Sequence, residues 1–312
     1  MALSQDAVGA PPLPHPAPEW PSILNLFRFL RGLRRHIALV NGGRQPIYLD
    51  YPVYPTPRYG WGRPPHSGLH ELIAANCARY AEMLDRLVSF APGLKAIQLS
   101  TEDPREPRWA NAYISGLDAI TLYAFPKLFA SKLYLEIGSG NSTLFVRRSI
   151  RDHGLTTRII SIDPSPRAHV DAICDEVVRS GLENTPIEVF DSLEANDILM
   201  VDGSHRCFEN SDVAVAFLEV FPRLKPGVLV FIHDIYLPDD YPPEWDSRFY
   251  SEQYLLAVML LADRGRRYEV ILPSHFSAMH PELGPRLLEL WRHIAPAGMK
   301  LSSNGFWIRI LG

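Results

Sequence analysis

From residue 131 onward, short apolar runs alternate with segments of helical patterning, and this alternation constrains the fold more than any other feature of the sequence. The apolar runs lie at 133–137, 157–162, 186–190, 197–201 and 227–232. Helical patterning fills most of the intervals, at 142–153, 166–180 and 209–223. Short apolar strands that alternate with helices form a parallel sheet buried on both faces. The pattern therefore predicts a Rossmann-like, doubly wound α/β fold.

The last sixty residues predict how this sheet ends. A helical pattern at 251–264 is followed by an apolar run at 268–273, a long excursion, and a final apolar run at 305–311. The excursion favours a closing antiparallel pair over another strand–helix–strand unit. We therefore expect a seven-stranded sheet with a terminal antiparallel hairpin, in a domain that spans 131–312.

The first 130 residues differ in their proline content. Of the 28 prolines, six fall in residues 11–21 and six in 46–65. Proline cannot continue a helix or a central strand, so residues 1–20 are expected to form a disordered or extended tail. The aromatic segment 49–68 also resists regular structure. It is expected either to pack on the core as a loop or to form a lid or wall of a substrate site.

Helical patterning fills most of the remaining N-terminal sequence. Amphipathic helices are expected at 22–40 and 69–90, and a third helix at 113–130. The first of them is basic, a pattern found on membrane-surface helices and more often on helices that cover a core or a subunit interface. Residues 21–130 are thus expected to form a helical and lid-like extension, through which the chain could form a homo-oligomer.

Charge and composition exclude several classes of protein. With 31 basic and 35 acidic residues the net charge is −4, which argues against a nucleic-acid partner. No apolar run reaches the length of about 18 residues that a transmembrane helix needs, and the N-terminus lacks a secretory pattern. The three cysteines, Cys77, Cys174 and Cys207, form no CxxC pair, so neither a disulfide framework nor a structural zinc site is expected. The expected location is the cytoplasm.

One turn carries the most informative motif. Glu136 stands near the end of an apolar run, Gly138 and Gly140 follow, and Asn141 with Ser142 opens a helical segment. Glycine lets the backbone approach a ligand closely, and a helix N-terminus offers free N–H groups. The motif predicts a nucleotide-like cofactor at the carboxyl ends of the strands.

Two glycine motifs share this geometry, and the chain departs from each at one position. A dinucleotide fingerprint, GxGxxG, would place its third glycine at 143, where the chain has Thr143. The (D/E)xGxGxG motif of S-adenosylmethionine-dependent methyltransferases would place it at 142, where the chain has Ser142. The acid at Glu136 favours the second motif.

Acidic residues also follow the other apolar runs. Asp163, Asp191 and Asp202 each come directly after a run, and His233-Asp234 follows the fifth. The carboxyl ends of parallel strands meet at one edge of a sheet, where ligands bind. We therefore expect these polar side chains to converge on one site.

Residues 131–311 resemble a class I S-adenosylmethionine-dependent methyltransferase. The motifs IGSGNST, DGSH and HDI are similar to those of a bacterial branch grouped with small-molecule O-methyltransferases, and the loop LPDDYPPEW and the upstream PRYGWGRPPH extend the similarity to roughly residues 50–311. The resemblance implies S-adenosyl-L-methionine as the cofactor. It also implies an O-methyl transfer to a small molecule or a saccharide.

The resemblance further implies roles for individual residues. Asp163 would accept hydrogen bonds from the ribose hydroxyls, Asp191 and Ser192 would lie near the adenine, and Asp202 would lie beside the methyl donor. The methionine end of the cofactor would be lined by Glu136, Gly138, Ser139 and Gly140, and the cofactor would also contact Asn141 and Ser142.

The catalytic candidates are Asp202, His205, His233 and Asp234. Asp202 and Asp234 would end neighbouring strands about 5 Å apart, so their charges repel unless they share a proton or a cation. Metal-dependent relatives hold an ion at these positions, which makes Asp202 and Asp234 candidate ligands of Mg²⁺ or another divalent cation. Without a metal, His205 or His233 would be the general base, with a rate that rises through about pH 6–7.

Three interpretations of the whole chain stay open. The first is a methyltransferase whose acceptor site is built from loops 49–68, 236–250 and 273–300. The second is a nicotinamide-dependent oxidoreductase, which Thr143 and the late hairpin disfavour. The third is a non-catalytic binding module that retains the fold.

Overall fold

The computed structural model describes residues 30–312 except 35–36, 38, 43–44, 46, 48, 52, 167–168 and 296–302. The described residues fall into two units, one ending at Tyr54 and one running from Pro55 to Gly312. In the first unit, residues 30–34, 37 and 39–41 are helical, within the range predicted for the basic helix. The tail predicted at 1–20 lies outside the described residues.

A seven-stranded sheet of order β3-β2-β1-β4-β5-β7-β6 forms the centre of the second unit. The strands are β1 (Leu133–Ile137), β2 (Arg158–Ile162), β3 (Glu176–Val178), β4 (Ile198–Val201), β5 (Leu229–Ile232), β6 (Tyr268–Pro273) and β7 (Phe306–Ile310). Strands β1 to β5 are parallel, and β7 pairs antiparallel with both β5 and β6. The doubly wound sheet with its terminal antiparallel hairpin is thereby confirmed.

Helices flank this sheet. Within the described residues they are α1 (Ser67–Ala74), α2 (Cys77–Leu87), α3 (Ala91–Lys95), α4 (Gly116–Leu128), α5 (Asn141–His153), α6 (Asp212–Val215, continuing through a π turn at Ala216–Val220 to Phe221–Arg223), α7 (Glu252–Asp263), α8 (Ser274–Met279) and α9 (Leu283–Ile294). Every residue of β1, β4 and β5 is buried, as expected for parallel strands covered on both faces. None of the described helices has the length and apolarity to span a membrane.

The third strand lies elsewhere than the sequence pattern indicated. The predicted strand 186–190 is instead part of a 3₁₀ helix that spans Ile187–Ser192. The third strand, β3, lies inside the range 166–180 that was predicted to be a helix. Asp175 fixes this strand beside β2, because its N–H donates to the Ile159 carbonyl and its carboxylate accepts from the Ile159 N–H. A short apolar run does not distinguish a strand from a helical turn by its periodicity.

Helix α4 and strand β7 pack together behind the site. The rings of Phe125 and Trp307 lie 4.4 Å apart, and those of Phe231 and Trp307 lie 4.7 Å apart. Gly305 precedes β7 at this contact, and its N–H donates to the buried carboxylate of Asp118 at 3.0 Å. The packing therefore joins the hydrophobic core to a charged group at the edge of the sheet.

We expect Gly305→Ala to lower the melting temperature. A Cβ at this position would lie 2.1 Å from the Phe231 ring and 2.6 Å from the Asp118 carboxylate. Overpacking of this kind costs about 1–3 kcal/mol. Gly312→Ala is the control, because the nearest atom that its Cβ would meet in the described part of the chain lies 3.9 Å away, in Pro226. Equal melting temperatures for the two variants would contradict the packing described here.

Candidate functional site

Gly138 sits where the turn after β1 passes the ends of its two neighbouring strands. Its N–H donates to the Ile162 carbonyl of β2 at 3.0 Å, and the Asp202 N–H donates to the Ile137 carbonyl at 2.9 Å. Gly138 has a φ of +82°, and a Cβ there would lie 2.0 Å from the Asp202 carbonyl oxygen. The position therefore requires glycine.

Glu136 holds this turn from inside. Its carboxylate is fully buried and accepts hydrogen bonds from Tyr134 Oη at 2.9 Å, from Ser142 Oγ at 3.0 Å and from Thr143 Oγ1. Burial raises the pKa of Glu136 to about 7, although the hydrogen bonds act in the opposite direction. The structure thus places Glu136 beneath the turn and not among the residues that line the neighbouring cavity.

The hydroxyls of Ser142 and Thr143 explain the departures from both glycine motifs. Thr143 Oγ1 accepts the Gly140 N–H at 3.1 Å and donates to Glu136, so one side chain links the turn to the buried acid. Glycine at 142 would remove the hydroxyl contact with Glu136, and glycine at 143 would remove both contacts of the Thr143 hydroxyl. The sequence departs from the motifs where side chains hold the turn in place.

A cavity of about 470 Å³ lies against this turn, at the carboxyl ends of β1, β2 and β4. Its volume falls in the range of small-molecule and cofactor sites. Seven of the predicted cofactor residues line it: Gly138, Ser139, Gly140, Asn141, Ser142, Asp163 and Asp202. The structure therefore brings together most of the residues that the sequence indicated.

Asp163 enters the cavity from the end of β2. One carboxylate oxygen accepts the Ser139 N–H at 2.8 Å, and the other accepts the Ser165 N–H at 2.7 Å. Each oxygen has a second lone pair for a ligand hydroxyl. The two backbone contacts fix the direction of the carboxylate.

Asp191 and Ser192 lie away from this cavity, contrary to the place that the resemblance implied. Both are exposed, and Asp191 forms a two-pronged ion pair with Arg223 at 2.5 Å while its carbonyl accepts from Lys225. These partners precede β5, so the pair belongs to the opposite end of the strands. The sequence placed both residues at the site because they follow the apolar run 186–190, which was predicted to be a strand of the sheet. This run forms a 3₁₀ helix, so the residues after it do not lie at the carboxyl ends of the strands.

A carboxylate–histidine cluster (Asp202, His205, His233 and Asp234) occupies the ends of β4 and β5. Nε2 of His205 lies 3.2 Å from Asp202 and 3.4 Å from Asp234. Nδ1 of His233 lies 3.3 Å from Asp202 and 3.5 Å from Asp234. Each imidazole thus contacts both carboxylates, and the four predicted catalytic residues share one environment.

Three further residues complete the surroundings of the cluster. Glu252, fully buried at the start of α7, lies 2.8 Å from Nδ1 of His205. Asp118, buried in α4, lies 3.8 Å from Nε2 of His233. Asn304 donates to Asp234 at 2.8 Å and to the Tyr236 hydroxyl at 3.1 Å. Sequence reasoning missed all three, because each approaches from an element far along the chain and belongs to no local motif.

The mutual contacts shift the protonation of the cluster. Desolvation acts to lower the pKa of His233, but the charges of Asp202 and Asp234 outweigh it and raise that pKa to about 9. His205 likewise has a raised pKa, since hydrogen bonds to Asp202 and Glu252 outweigh its burial. Burial alone would raise the pKa of Asp202, and the two histidines hold it below its usual range. At neutral pH the histidines are therefore cationic and the Asp202 carboxylate is ionised.

Two members of the cluster adopt left-handed backbone conformations. The φ angle is +59° at His205 and +58° at Asp234. Non-glycine residues in this region cost of the order of 1–3 kcal/mol and concentrate at functional sites. The backbone at the start of α7 stabilises this conformation of His205, because the N–H groups of Ser251 and Glu252 donate to the His205 carbonyl.

Within the predicted segment 49–68, residues 58–61 of the second unit pack against the loop after β5. The Asp240 carboxylate accepts the N–H groups of Arg58 at 2.6 Å and Tyr59 at 3.0 Å, and its carbonyl accepts Trp61 Nε1 at 2.9 Å. The Trp61 ring lies 5.9 Å from the ring of Tyr236. These contacts are those of a fixed loop that borders the site through Tyr236.

We expect the free energy of unfolding to fall as the pH rises from about 6.5 to 9. The folded pKa of His233, about 9, exceeds its value of 6.5 in the unfolded chain, so its stabilising contribution is complete below pH 6.5 and lost above 9. His233→Gln should flatten this decline in urea titrations at pH 7, 8 and 9. A wild-type stability that stays constant or rises over this interval would contradict the assignment. Glu136, whose pKa is about 7, adds to the decline in the same direction at the lower end of this window, so the interval from pH 8 to 9 is the one that reports on the histidine.

Comparison with known proteins places a methyltransferase match on the same residues. Residues 135–235, from β1 to just after β5, match the family model described as "Methyltransferase domain". This segment contains the glycine turn, Asp163 and the whole carboxylate–histidine cluster. No curated protein matches the sequence of the chain.

Several solved structures of methyltransferases are similar to this chain, with low sequence identity and low TM-scores. The plantazolicin methyltransferase BpumL in complex with SAH is 14% identical, with 79% of this chain and 100% of that chain covered and a TM-score of 0.39. The SAH-bound Podospora anserina methyltransferase PaMTH1 is 15% identical, with 77% of this chain and 95% of that chain covered and a TM-score of 0.38.

Proposed function

We propose that this protein transfers a methyl group from S-adenosyl-L-methionine to an oxygen atom of a small molecule or saccharide. The observation that carries the proposal is the cavity between the Gly138–Ser142 turn, Asp163 and Asp202, within the segment that matches a methyltransferase domain. The choice of oxygen as the acceptor atom rests on the resemblance of the DGSH and HDI motifs.

The lining of the cavity suits this cofactor in polarity as well as in size. Asp163 is aligned by two backbone N–H groups and would accept hydrogen bonds from a ribose diol. The ionised Asp202 would face the sulfonium and methionine end, where its negative charge favours a cation. When bound, S-adenosylmethionine supplies an electrophilic methyl group. The protein's contribution is then to orient the acceptor in line with it, which is worth about 7–11 kcal/mol in favourable cases.

The carboxylate–histidine cluster would receive the proton that an acceptor hydroxyl loses. Asp202 is the member of the cluster that lines the cavity. His205, backed by Glu252 on Nδ1, directs Nε2 toward it, as a positioned acid–base group would. Because the pKa of His233 is about 9 and that of His205 is also raised, a base-dependent rate would rise well above the pH of 6–7 expected from the sequence.

A divalent cation is the alternative way to balance the carboxylates. Asp202, His233 and Asp234 each offer a ligand atom within 4.8 Å of the others, and an ion there would lower the pKa of an acceptor hydroxyl. Against it stands the contact of both imidazoles with both carboxylates, which already supplies two positive charges to the pair. We therefore propose that protons on the histidines take the place of Mg²⁺.

S-adenosylhomocysteine should raise the melting temperature, and NAD should not. At a hundredfold excess over Kd the stabilisation is about 2.7 kcal/mol, or roughly 4–5 °C for a chain of this size. Stabilisation by NAD alone would favour an oxidoreductase. Stabilisation by neither ligand would contradict the proposed cofactor.

Two substitutions in the cavity should weaken S-adenosylhomocysteine binding in calorimetry without unfolding the protein. A Cβ at Gly140 meets no atom of the described residues within 4 Å, so the side chain of Gly140→Val has room there and would compete with the ligand. Asp163→Ala removes the expected ribose acceptor, and a loss of at least about tenfold is expected from a hydrogen bond to a charged group. Asp191→Ala is the matched control, since that exposed carboxylate lies outside the cavity. Equal affinity in all three variants would refute the placement.

Mn²⁺ should not bind to the cluster. If the histidine protons balance Asp202 and Asp234, calorimetric titration of the metal-free protein with Mn²⁺ will show no saturable heat, and S-adenosylhomocysteine will bind equally with and without a chelator. A saturable Mn²⁺ site that Asp234→Asn abolishes would show that the metal alternative is correct.

A further inference from the structure

Two arginines lie over an aromatic surface beside the cluster. Cζ of Arg248 lies 3.8 Å from the ring centroid of Trp245 and 5.4 Å from that of Tyr250. Cζ of Arg206 lies 5.1 Å from the Tyr250 centroid. The two side chains are tied together, because Arg206 Nε donates to the Arg248 carbonyl at 2.8 Å. We call this set, Arg206, Arg248, Trp245 and Tyr250, the arginine shelf.

Neither arginine of the shelf pairs with a carboxylate among the described residues. Their hydrogen bonds go to the carbonyls of Arg248 and Ser204 and to the Tyr250 hydroxyl. A guanidinium has five N–H donors, so most of this donor capacity is unused. Other arginines of the same unit are paired, for example Arg223 with Asp191.

The shelf adjoins the proposed reaction site. The ring of Tyr250 lies 4.6 Å from the ring of His205, whose Nε2 contacts Asp202 and Asp234. Arg206 Nη1 donates to the carbonyl of Ser204, which lines the cavity. The Tyr250 ring therefore lies close both to the guanidinium groups and to the His205 ring of the cluster.

We propose that the methyl acceptor carries an anionic group, a carboxylate or a phosphate ester, which Arg206 and Arg248 bind while its hydroxyl reaches the cluster. This inference rests on the proposed function and narrows the acceptor to a small hydroxylated acid. Arginine forks match the planar oxygens of carboxylates and the oxygens of phosphates, and such charge-assisted bonds are stronger than neutral ones. Trp245 and Tyr250 preorganise the guanidinium groups and offer a flat apolar surface to the body of the acceptor.

The distribution of charged side chains also explains why the anionic group would bind on the shelf and the hydroxyl at the cluster. Four carboxylates surround the two histidines: Asp118, Asp234 and Glu252 are buried, and Asp202 is half-buried. An anionic group would be repelled there, whereas the shelf offers two cations. A hydroxylated acid would therefore be oriented in a single direction, with its hydroxyl toward Asp202.

The test compares pairs of probes that differ by the anionic group. Wild-type protein saturated with S-adenosylhomocysteine is titrated with 4-hydroxybenzoate and phenol, and with glucose 6-phosphate and glucose, by ligand-observed NMR. We expect the charged member of at least one pair to bind at least about tenfold more tightly than its neutral partner, and to weaken as NaCl is added. The responsive pair shows whether the anion is a carboxylate or a phosphate.

Three variants assign the binding to the shelf. Arg206→Gln combined with Arg248→Gln should abolish the preference for the charged probe while S-adenosylhomocysteine affinity stays unchanged. Arg266→Gln is the matched control, because Arg266, like Arg206, bonds only to backbone carbonyls among the described residues. It follows the C-terminal end of α7, whereas Glu252 of the cluster stands at the N-terminal end. Arg248→Lys should retain part of the preference, since it keeps the charge and loses the fork.

The proposal is overturned if charged and neutral probes bind equally, if no charged probe binds at millimolar concentration, or if the double variant keeps the preference. These results leave the cofactor assignment intact when S-adenosylhomocysteine still binds. Failure of S-adenosylhomocysteine to bind the wild-type protein would instead refute the proposed function, whatever the anion titration shows.

Discussion

The balance of buried charge at the ends of β4 and β5 is the constraint on which the site depends. Asp202 and Asp234 end neighbouring strands, and both imidazoles lie within 3.5 Å of both carboxylates. Breaking such a cluster by removing one partner leaves an uncompensated buried charge, which is strongly destabilising. The contacts between these charges offset the cost of the left-handed backbone conformation at His205 and Asp234.

The same edge of the sheet holds a second polar centre, in which Glu136 fixes the glycine turn. Its buried carboxylate gathers three hydroxyls, so the turn is shaped by side chains as well as by glycine. The backbone atoms of the turn are left to line the cavity. The end of β1 thus supports the turn through Glu136. The two strands beside β1, β2 and β4, supply Asp163 and Asp202 as the polar groups that a ligand would meet.

The sequence predicted the features that depend on local patterning and missed those that depend on distant contacts. Six of the seven strands and the glycine turn follow from apolar runs and their polar ends, and the structure has them within a few residues of the predicted bounds. The exception, β3, is a three-residue edge strand held by Asp175, and no apolar run marks it. Asp118 and Glu252 reach the cluster from α4 and α7, and Asn304 reaches it from the loop before β7, so only the tertiary structure brings them together.

The most direct test of the account is a crystal structure of the protein grown with S-adenosylhomocysteine. The account predicts the ligand in the cavity of about 470 Å³, with its ribose hydroxyls on the Asp163 carboxylate and its homocysteine end between the Gly138–Ser142 turn and Asp202. Ligand density at another place on the sheet, or a cavity that stays free of ligand at saturating concentration, would contradict it.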